Sequence, residues 1–384
     1  MPNERYVIDD QIWEKLIDLT DGAAAICFQC GVCTATCPWG LVRDDTLSVR
    51  SHIRRAQLGI NNGDPSLWLC TTCGQCEAYC PRGVNIAEVF RGLRYVAWER
   101  NQPHHGLPTL LWSVYWNNNP WEQPPSYRMG WAKNVDLPRF DHESHEILYY
   151  VGCTPSYDTR AQNIALALLR LFNAANVAFG VLGESEPCSG EEILSVGHKP
   201  YFREIAETTG RVFKESNVSK IVTSDPHSYD AFRNHYPSLE QDQISPSHYT
   251  QFLNHLLESN RLKFRKAFDR KVTFHDPCYL ARHNNETDSP RRVLSAIPGL
   301  EFVEMQNIGI DTLCCGGGGG RMWLETEAGE RFSDLRVEEA LDCGAQVIAT
   351  ACPYCISCLE DSVKANRHTD LVVMDIAEIA ALSI

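Results

Sequence analysis

Thiols are the side chains in this sequence whose number and spacing call for chemistry, with 17 cysteines among 384 residues. "CFQCGVCTATCP" places Cys27, Cys30, Cys33 and Cys37 before Pro38, and "CTTCGQCEAYCP" repeats the pattern with Cys70, Cys73, Cys76 and Cys80 before Pro81. Both read C-x2-C-x2-C-x3-C-P, the spacing that holds a cubane [4Fe–4S] cluster. Three close thiolates wrap one cluster on a tight loop. The fourth, set off by proline, leaves that loop for the other cluster. The spacing therefore assigns Cys27, Cys30, Cys33 and Cys80 to one cubane, and Cys70, Cys73, Cys76 and Cys37 to the second. Zinc takes four ligands, usually as two separated pairs, and two matching four-cysteine runs argue against it. Two close cubanes make a wire, because each carries one electron at a time.

A second constellation lies towards the C-terminus. Cys278 is followed by 35 residues, then Cys314–Cys315, then 36 residues, then Cys352-x2-Cys355. Each group follows a short apolar run of strand character. Loops at the carboxyl ends of parallel strands gather into one site, so five thiolates converge. Five exceed the four that a cubane takes. They suit a larger or opened iron–sulfur cluster. The pair Cys314–Cys315 runs into five glycines. Glycine lets backbone N–H groups turn towards negative sulfur as a nest, which makes Gly316, Gly317 and Gly318 candidate cofactor-binding residues. A helix beginning near Arg321 would add its positive end. A phosphate loop is the rival, but no Gly-Lys-Ser/Thr follows the run.

"HDPCYLARHN", "LCCGGGGGRMW" and "TACPYC" together resemble the cysteine-rich "CCG" domain found in the B and D subunits of heterodisulfide reductase. Relatives of that family include the DsrK component of sulfur-metabolism membrane complexes and iron–sulfur components of glycerol-3-phosphate, glycolate and lactate oxidation systems. The module order, two cubane motifs before two CCG-type repeats, resembles the D-type protein over nearly the whole chain. The resemblance implies that Cys278, Cys314, Cys315, Cys352 and Cys355 hold a non-cubane [4Fe–4S] cluster and serve catalysis. It also implies an oxidoreductase acting on sulfur groups, with electrons passing through the cubanes to disulfide or thiol chemistry at that cluster. The alternative is a non-catalytic relay that links a flavoprotein dehydrogenase or a bifurcating complex to quinone or another acceptor. His275 stands just before Cys278 and is a candidate proton donor to a leaving thiolate, or a loop cap together with Asp276. Cys343 and Cys358 fall outside the motif and read as buried structural thiols.

The first half keeps the spacing and loses the ligands. Cys153 is followed by 34 residues, Cys188, and 36 residues to Asp225. Pro187 stands where the first cysteine of the pair belongs, and "DPHS" replaces C-x2-C. No second non-cubane cluster is expected there. Two readings stay open: a vestigial site kept for packing, or a mononuclear zinc held by Cys153, Cys188 and His227 or Asp225.

The elements that position these residues predict an α+β multidomain chain. Residues 1–100 form an α-helical ferredoxin domain, with helices in "TLSVRSHIRRAQLG" and "NIAEVFRGLRYVAWER". Residues 101–145 are a Trp- and Pro-rich linker with no clear period, whose four tryptophans pack it onto the domains. Residues 146–265 and 266–384 are a degenerate and an intact α/β CCG-type repeat, each with a parallel sheet. A net charge of −14 and a pI near 5.4 argue against nucleic acid. No apolar run is long enough to span a membrane, and the acidic start "MPNERYVIDD" is unlike a signal peptide. The expected location is cytoplasmic, or peripheral at the inner membrane face. No G-x-G-x-x-G follows a strand, so a flavin must come from elsewhere. The chain needs a partner, either a flavoprotein or other electron-transfer subunit, or a membrane quinone or haem subunit.

Overall fold

The computed structural model describes residues 8–43, 47–60, 63–133, 135–327 and 329–384. The first seven residues of the acidic N-terminal stretch, and Thr46, which opens one predicted helix, lie outside the described residues.

The N-terminal part is helical. Gln11–Leu19, Val49–Gln57 and Ile86–Glu99 are its longest helices, and its one strand-like pairing among the described residues is an isolated bridge between Ile8 and Ile60. Two of these helices start where the side chains allow it. Ser48 accepts a hydrogen bond from the Ser51 N–H, and Asn85 accepts one from the Glu88 N–H, each satisfying an orphan donor of the first turn. Leu16, Ile53, Val89 and Phe90 close a core under the two cysteine runs. Residues 101–145 are less irregular than expected. They contain an 11-residue helix, Leu107–Asn117, which Pro108 initiates without cost because its missing N–H is an orphan anyway. Trp131 is buried and Trp121 meets Trp323 edge-on, whereas Trp112 and Trp116 are exposed, so only half of the four tryptophans pack as expected.

The remainder forms two four-stranded, all-parallel sheets. β1 (Ile147–Tyr150), β2 (Phe179–Gly180), β3 (Lys220–Thr223) and β4 (Ser245–His248) run in the order β2-β1-β3-β4. β5 (Lys271–Phe274), β6 (Glu301–Phe302), β7 (Val347–Thr350) and β8 (Val372–Asp375) repeat it as β6-β5-β7-β8. Equivalent registers, Leu148 opposite Ile221 and Val272 opposite Val347, confirm the repeat at the backbone level. β1 and β7 are wholly buried, as inner strands covered by helices on both faces must be. The two repeats share one core, with Tyr149, Tyr249 and Leu253 of the first packed with Phe274, Ile348 and Ile379 of the second. The Tyr249 hydroxyl donates to Asp375 Oδ1 at 2.6 Å across that seam.

Candidate functional site

The cysteine runs fold as two copies of one turn. Gly31 and Gly74 both adopt left-handed φ, +89° and +74°, at the start of short helices Val32–Ala35 and Gln75–Ala78. That conformation, cheap for glycine, curls each loop so that its thiols face inwards. One small cavity is lined by Cys27, Cys30, Cys33 and Cys80, and another by Cys37, Cys70, Cys73 and Cys76. The structure thus gathers the fourth cysteine of each run with the other run. Burial raises the Cys37 thiol above its usual range, and the thiols of Cys73 and Cys70 add to this. Burial likewise raises Cys70 and Cys76. Four converging thiols fit a cationic iron group, which would supply the positive charge needed to ionise them.

The C-terminal thiols come together as the strand order requires. Cys278 opens the helix Cys278–Ala281 after β5, and Cys352 stands at the N-cap of Pro353–Ala365 after β7. All five are buried. They form a connected series. Cys314 is hydrogen-bonded to Cys278 and Cys315, Cys315 lies 3.4 Å from Cys355, and Cys355 contacts Cys352. Cys314 also contacts Cys73, so the five-thiol site touches a thiol of the second N-terminal cavity. Burial would raise the Cys352 thiol, but Cys355 and His227 outweigh it and bring it down to about 6. This donor set suits an iron–sulfur group larger than a single metal ion.

The glycine run does two jobs. The Gly316 N–H donates to Cys314 Sγ at 3.3 Å, the contact a nest would make. Gly318 and Gly319 instead lie under the second cysteine loop. A Cβ on Gly318 would sit 2.5 Å from the Thr71 carbonyl oxygen, and one on Gly319 would sit 2.3 Å from that of Cys70. No α-helix begins at Arg321; Arg321–Trp323 is a three-residue 3-10 turn and the next helix is Phe332–Asp342. The expected helix dipole at this point is therefore absent, because a 3-10 turn of that length aligns too few peptides.

His275 lies among the thiols, with a ring nitrogen and the sulfurs of Cys315 and Cys355 all within 4.8 Å of one another. Its Nδ1 accepts from Arg336 Nε at 3.2 Å. Burial first, then Arg336 and Arg282, hold its pKa well below the usual 6.5. The neutral ring therefore carries its hydrogen on Nε2. That Nε2 is buried and has no hydrogen-bond partner among the described residues. The protonated histidine is His227. Burial disfavours its charge, yet Glu191, whose Oε2 lies 3.0 Å from Nδ1, and Cys352 keep it protonated well above 6.5.

His227 therefore does not join Cys153 and Cys188. Among the described residues, His275, Cys315 and Cys355 are the one group of three such donors close enough for a single metal ion. Asp225 is spent as the cap of Pro226–Asp230, accepting from the N–H groups of His227 and Ser228. The Arg128 guanidinium donates to Cys153 Sγ at 3.2 Å and to Glu186 Oε1 at 2.9 Å. A fixed cation occupies the position where a zinc ion would compete for the same sulfur, so the donors do not fit zinc.

Several residues here were not singled out by the sequence reading. Arg94 is fully buried in Ile86–Glu99 and donates to the carbonyls of Cys70, Leu67, Ser195 and Gly319. Arg282 donates to the Cys73 carbonyl at 2.6 Å. Tyr279 Oη bonds Thr72 Oγ1 and Glu191 Oε1. For Arg94 the available signal was an arginine on the buried face of its helix. Cys358 is half-buried, not a core thiol, and lines a cleft of about 360 Å³ with Cys315, Gly316, Gly317 and Arg321. Cys343 is likewise half-buried, not buried as expected, and donates to the Ala340 carbonyl.

Comparison with known proteins agrees with this layout. A 4Fe-4S dicluster domain family matches residues 23–84, and a cysteine-rich domain family, CCG, matches residues 147–231 and 272–360. The chain is 36% identical over 300 residues to a probable iron-sulfur-binding oxidoreductase, FadF, of Bacillus subtilis, covering 76% of this chain and 42% of that protein. It is 34% identical to the EtfAB:quinone oxidoreductase of Syntrophomonas wolfei, covering 77% and 42%. It is 31% identical to the D subunit of the dihydromethanophenazine:CoB--CoM heterodisulfide reductase of Methanosarcina acetivorans, covering 79% and 75%. The chain thus spans about two fifths of the length of the first two and three quarters of the third. Among the described residues no helix is long and apolar enough to cross a membrane.

Proposed function

We infer, for a chain that belongs to the heterodisulfide reductase D-type family of iron–sulfur oxidoreductases, that it is the electron-transferring and catalytic component of a larger complex acting on disulfides or thiols. Cys27, Cys30, Cys33 and Cys80 would hold one cubane, and Cys37, Cys70, Cys73 and Cys76 the other. Cys278, Cys314, Cys315, Cys352 and Cys355 would hold the non-cubane [4Fe–4S] cluster. When bound, such groups supply one-electron redox steps in series and a sulfur-reactive metal site.

The observation that carries the reading is access. The cleft of about 360 Å³ reaches Cys315 from solvent, so a small molecule can approach the five-thiol site. Arg321, buried and without an ion pair among the described residues, lines it. The protein groups then have separable roles. Arg94 and Arg282 fix the second cysteine loop against the glycine run. The Cys73–Cys314 contact makes the N-terminal thiols continuous with the C-terminal ones. His275 stands beside Cys315 and Cys355 with its Nε2 unpartnered among the described residues, the position of a proton donor to sulfur. His227 holds a proton beside Cys352 and keeps that thiol ionised.

The relay reading draws on a different observation: one five-cysteine site, not two, and a relative whose name mentions quinone and not disulfide. The test uses reduced, iron-loaded protein and a small disulfide such as 3,3′-dithiodipropionate. Stoichiometric release of thiol, lost in Cys315→Ser, supports the catalytic reading. Electron delivery to a quinone analogue with no thiol released would replace it with the relay.

A further inference from the structure

The N-terminal module has an inner and an outer end. At the inner end Cys73 touches Cys314. At the outer end Cys30 is exposed, and it is the single exposed residue among the 17 cysteines. If the two N-terminal cavities hold clusters, as proposed above, electrons enter or leave at Cys30. What surrounds that residue bears on what it meets.

Two apolar side chains flank the outer loop, Ile26 at 41% and Phe28 at 58% exposure. Isolated exposed apolar residues are ordinary, but these belong to the loop that carries the exposed thiol. Around them stand Arg50, Arg54 and Arg82, all exposed. Arg50 packs beside Gly31, next to Cys30, and Arg50 and Arg82 line the cavity of Cys27, Cys30, Cys33 and Cys80. Arg54 lies one turn beyond Arg50 on Val49–Gln57, hence on the same face. None of the three forms an ion pair among the described residues, whereas the neighbouring Arg43 and Arg55 pair with Glu330 and Asp64. The chain as a whole carries −14. Among the described residues, three guanidinium groups without an ion pair stand around one exposed thiol, a local contrast to that charge. A small apolar centre with a charged rim is the anatomy of a transient docking surface, where charge sets encounter rate and orientation.

We propose that this face docks a small acidic electron-carrier protein, whose carboxylates meet Arg50, Arg54 and Arg82 while its redox centre approaches Cys30. The proposal rests on the cluster assignment of the N-terminal cysteines and adds the partner's chemistry and its place of contact. One electron passes per encounter, so the carrier is oxidised, or reduced, by one unit as this chain changes by one in the opposite sense.

The experiment follows reduction of the iron-loaded full chain by a reduced, acidic plant-type ferredoxin as salt is raised. The second-order rate of the wild type is expected to fall about tenfold or more between 0.05 and 0.5 M salt. Arg54→Glu, whose side chain lines neither of the two cysteine cavities, is expected to be several-fold slower at low salt and to converge with wild type at high salt. Reduction by the methyl viologen radical cation reports the clusters without the docking face. It should be unchanged or faster in the variant, with unchanged iron content. A wild-type rate indifferent to salt overturns the proposal, as does equal slowing with ferredoxin and viologen. Self-association of the wild-type chain that charge reversal abolishes overturns it in favour of a second copy. Failure of viologen to reduce any iron-loaded chain would instead remove the cluster assignment beneath it.

Discussion

The two cysteine-rich repeats place the same strands in the same order and fill the crevice above them differently. In the second repeat five thiols converge and a cleft reaches Cys315. In the first, Cys153 and Cys188 remain, and the protein has closed the space with its own charges. Arg128 comes in from the segment before the repeat and pairs with Glu186, both about 2% exposed. Glu186 in turn accepts from the N–H groups of Val151 and Gly152. Asp225 and Ser228 stand where the second pair of thiols would; Asp225 caps a helix and accepts from the N–H and the hydroxyl of Ser228. The lost site has also turned outwards. The residues after Cys188 become the helix Glu191–Ser195. Its Glu191 and Glu192 meet His227, Tyr279 and Tyr354 beside the intact site. The comparison teaches that a degenerate repeat can survive as the second wall of its neighbour's site.

The largest effects should separate the repeats by metal. Cys315→Ser is expected to lower iron from about 12 to about 8 atoms per chain. It should cut disulfide turnover by about 100-fold or more. Cys188→Ser, at the matching position, should leave both within about twofold, since no iron is assigned to it. Equal iron loss in the two variants, measured on anaerobically prepared protein, would erase the distinction.

Next comes the ion pair that replaces metal. Arg128→Ala strands Glu186, whose carboxyl burial already pushes up against the pull of Arg128. Removing one member of a buried pair costs about 3–5 kcal/mol. Adding Glu186→Gln should recover part of that loss. Urea midpoints that do not move would mean that Arg128 is not what closes the site.

The wall role of the first repeat has a pH signature. Burial and Glu191 raise the Glu192 carboxyl to about 7 from 4.5. Because the folded pKa is raised, the stabilisation is complete below pH 4.5 and is lost as pH rises through about 7. Each unit of displacement is worth about 1.4 kcal/mol, so the loss is of the order of a few kcal/mol. Glu192→Gln should remove it, and the variant should gain on the wild type between these two pH values. Parallel stability curves for the two proteins would place Glu192 in water, not against Tyr354.

Much of this was legible in the cysteine spacings. Strand, loop and ligand share short segments there, and a run of C-x2-C-x2-C-x3-C-P carries its own turn. The strands β1, β3, β5 and β7 were equally plain as apolar runs. β4 was not, because "SPSH" is a half-exposed edge strand where Pro246 costs no ladder bond and little apolar patterning is needed. The 11-residue helix in the linker was hidden by its aromatics, which point to solvent and break the expected amphipathic period. Long-range partners were the least accessible. Nothing near "DPHS" says that His227 faces Cys352, 125 positions away, or that Arg128 seals Cys153. Such contacts are set by how repeats stack, and sequence periodicity carries no information on stacking.

The glycines sharpen the comparison at its finest scale. After Cys315 the chain must slide beneath the second cysteine loop. A Cβ on Gly319 would meet the Cys70 carbonyl at 2.3 Å, backbone against backbone, with φ at +63°. After Cys188 the crevice is covered by side chains instead. A Cβ on Gly190 would meet Ile205 Cγ2 at 2.9 Å, with φ at +70°. Both positions carry the left-handed strain, so that cost largely cancels between them. What differs is whether the obstacle can yield. The isoleucine can change rotamer, while the Cys70 carbonyl is held by Arg94 at 2.6 Å. Gly319→Ala should therefore lose about 1–3 kcal/mol more than Gly190→Ala. It should also slow electron exchange between the N-terminal and C-terminal thiol sites, because the displaced loop carries Cys73 away from Cys314. Freeze-quench spectroscopy of the two variants would read that rate. A Gly319→Ala protein with wild-type exchange would show that the glycines serve the thiols of their own repeat and not the junction between modules.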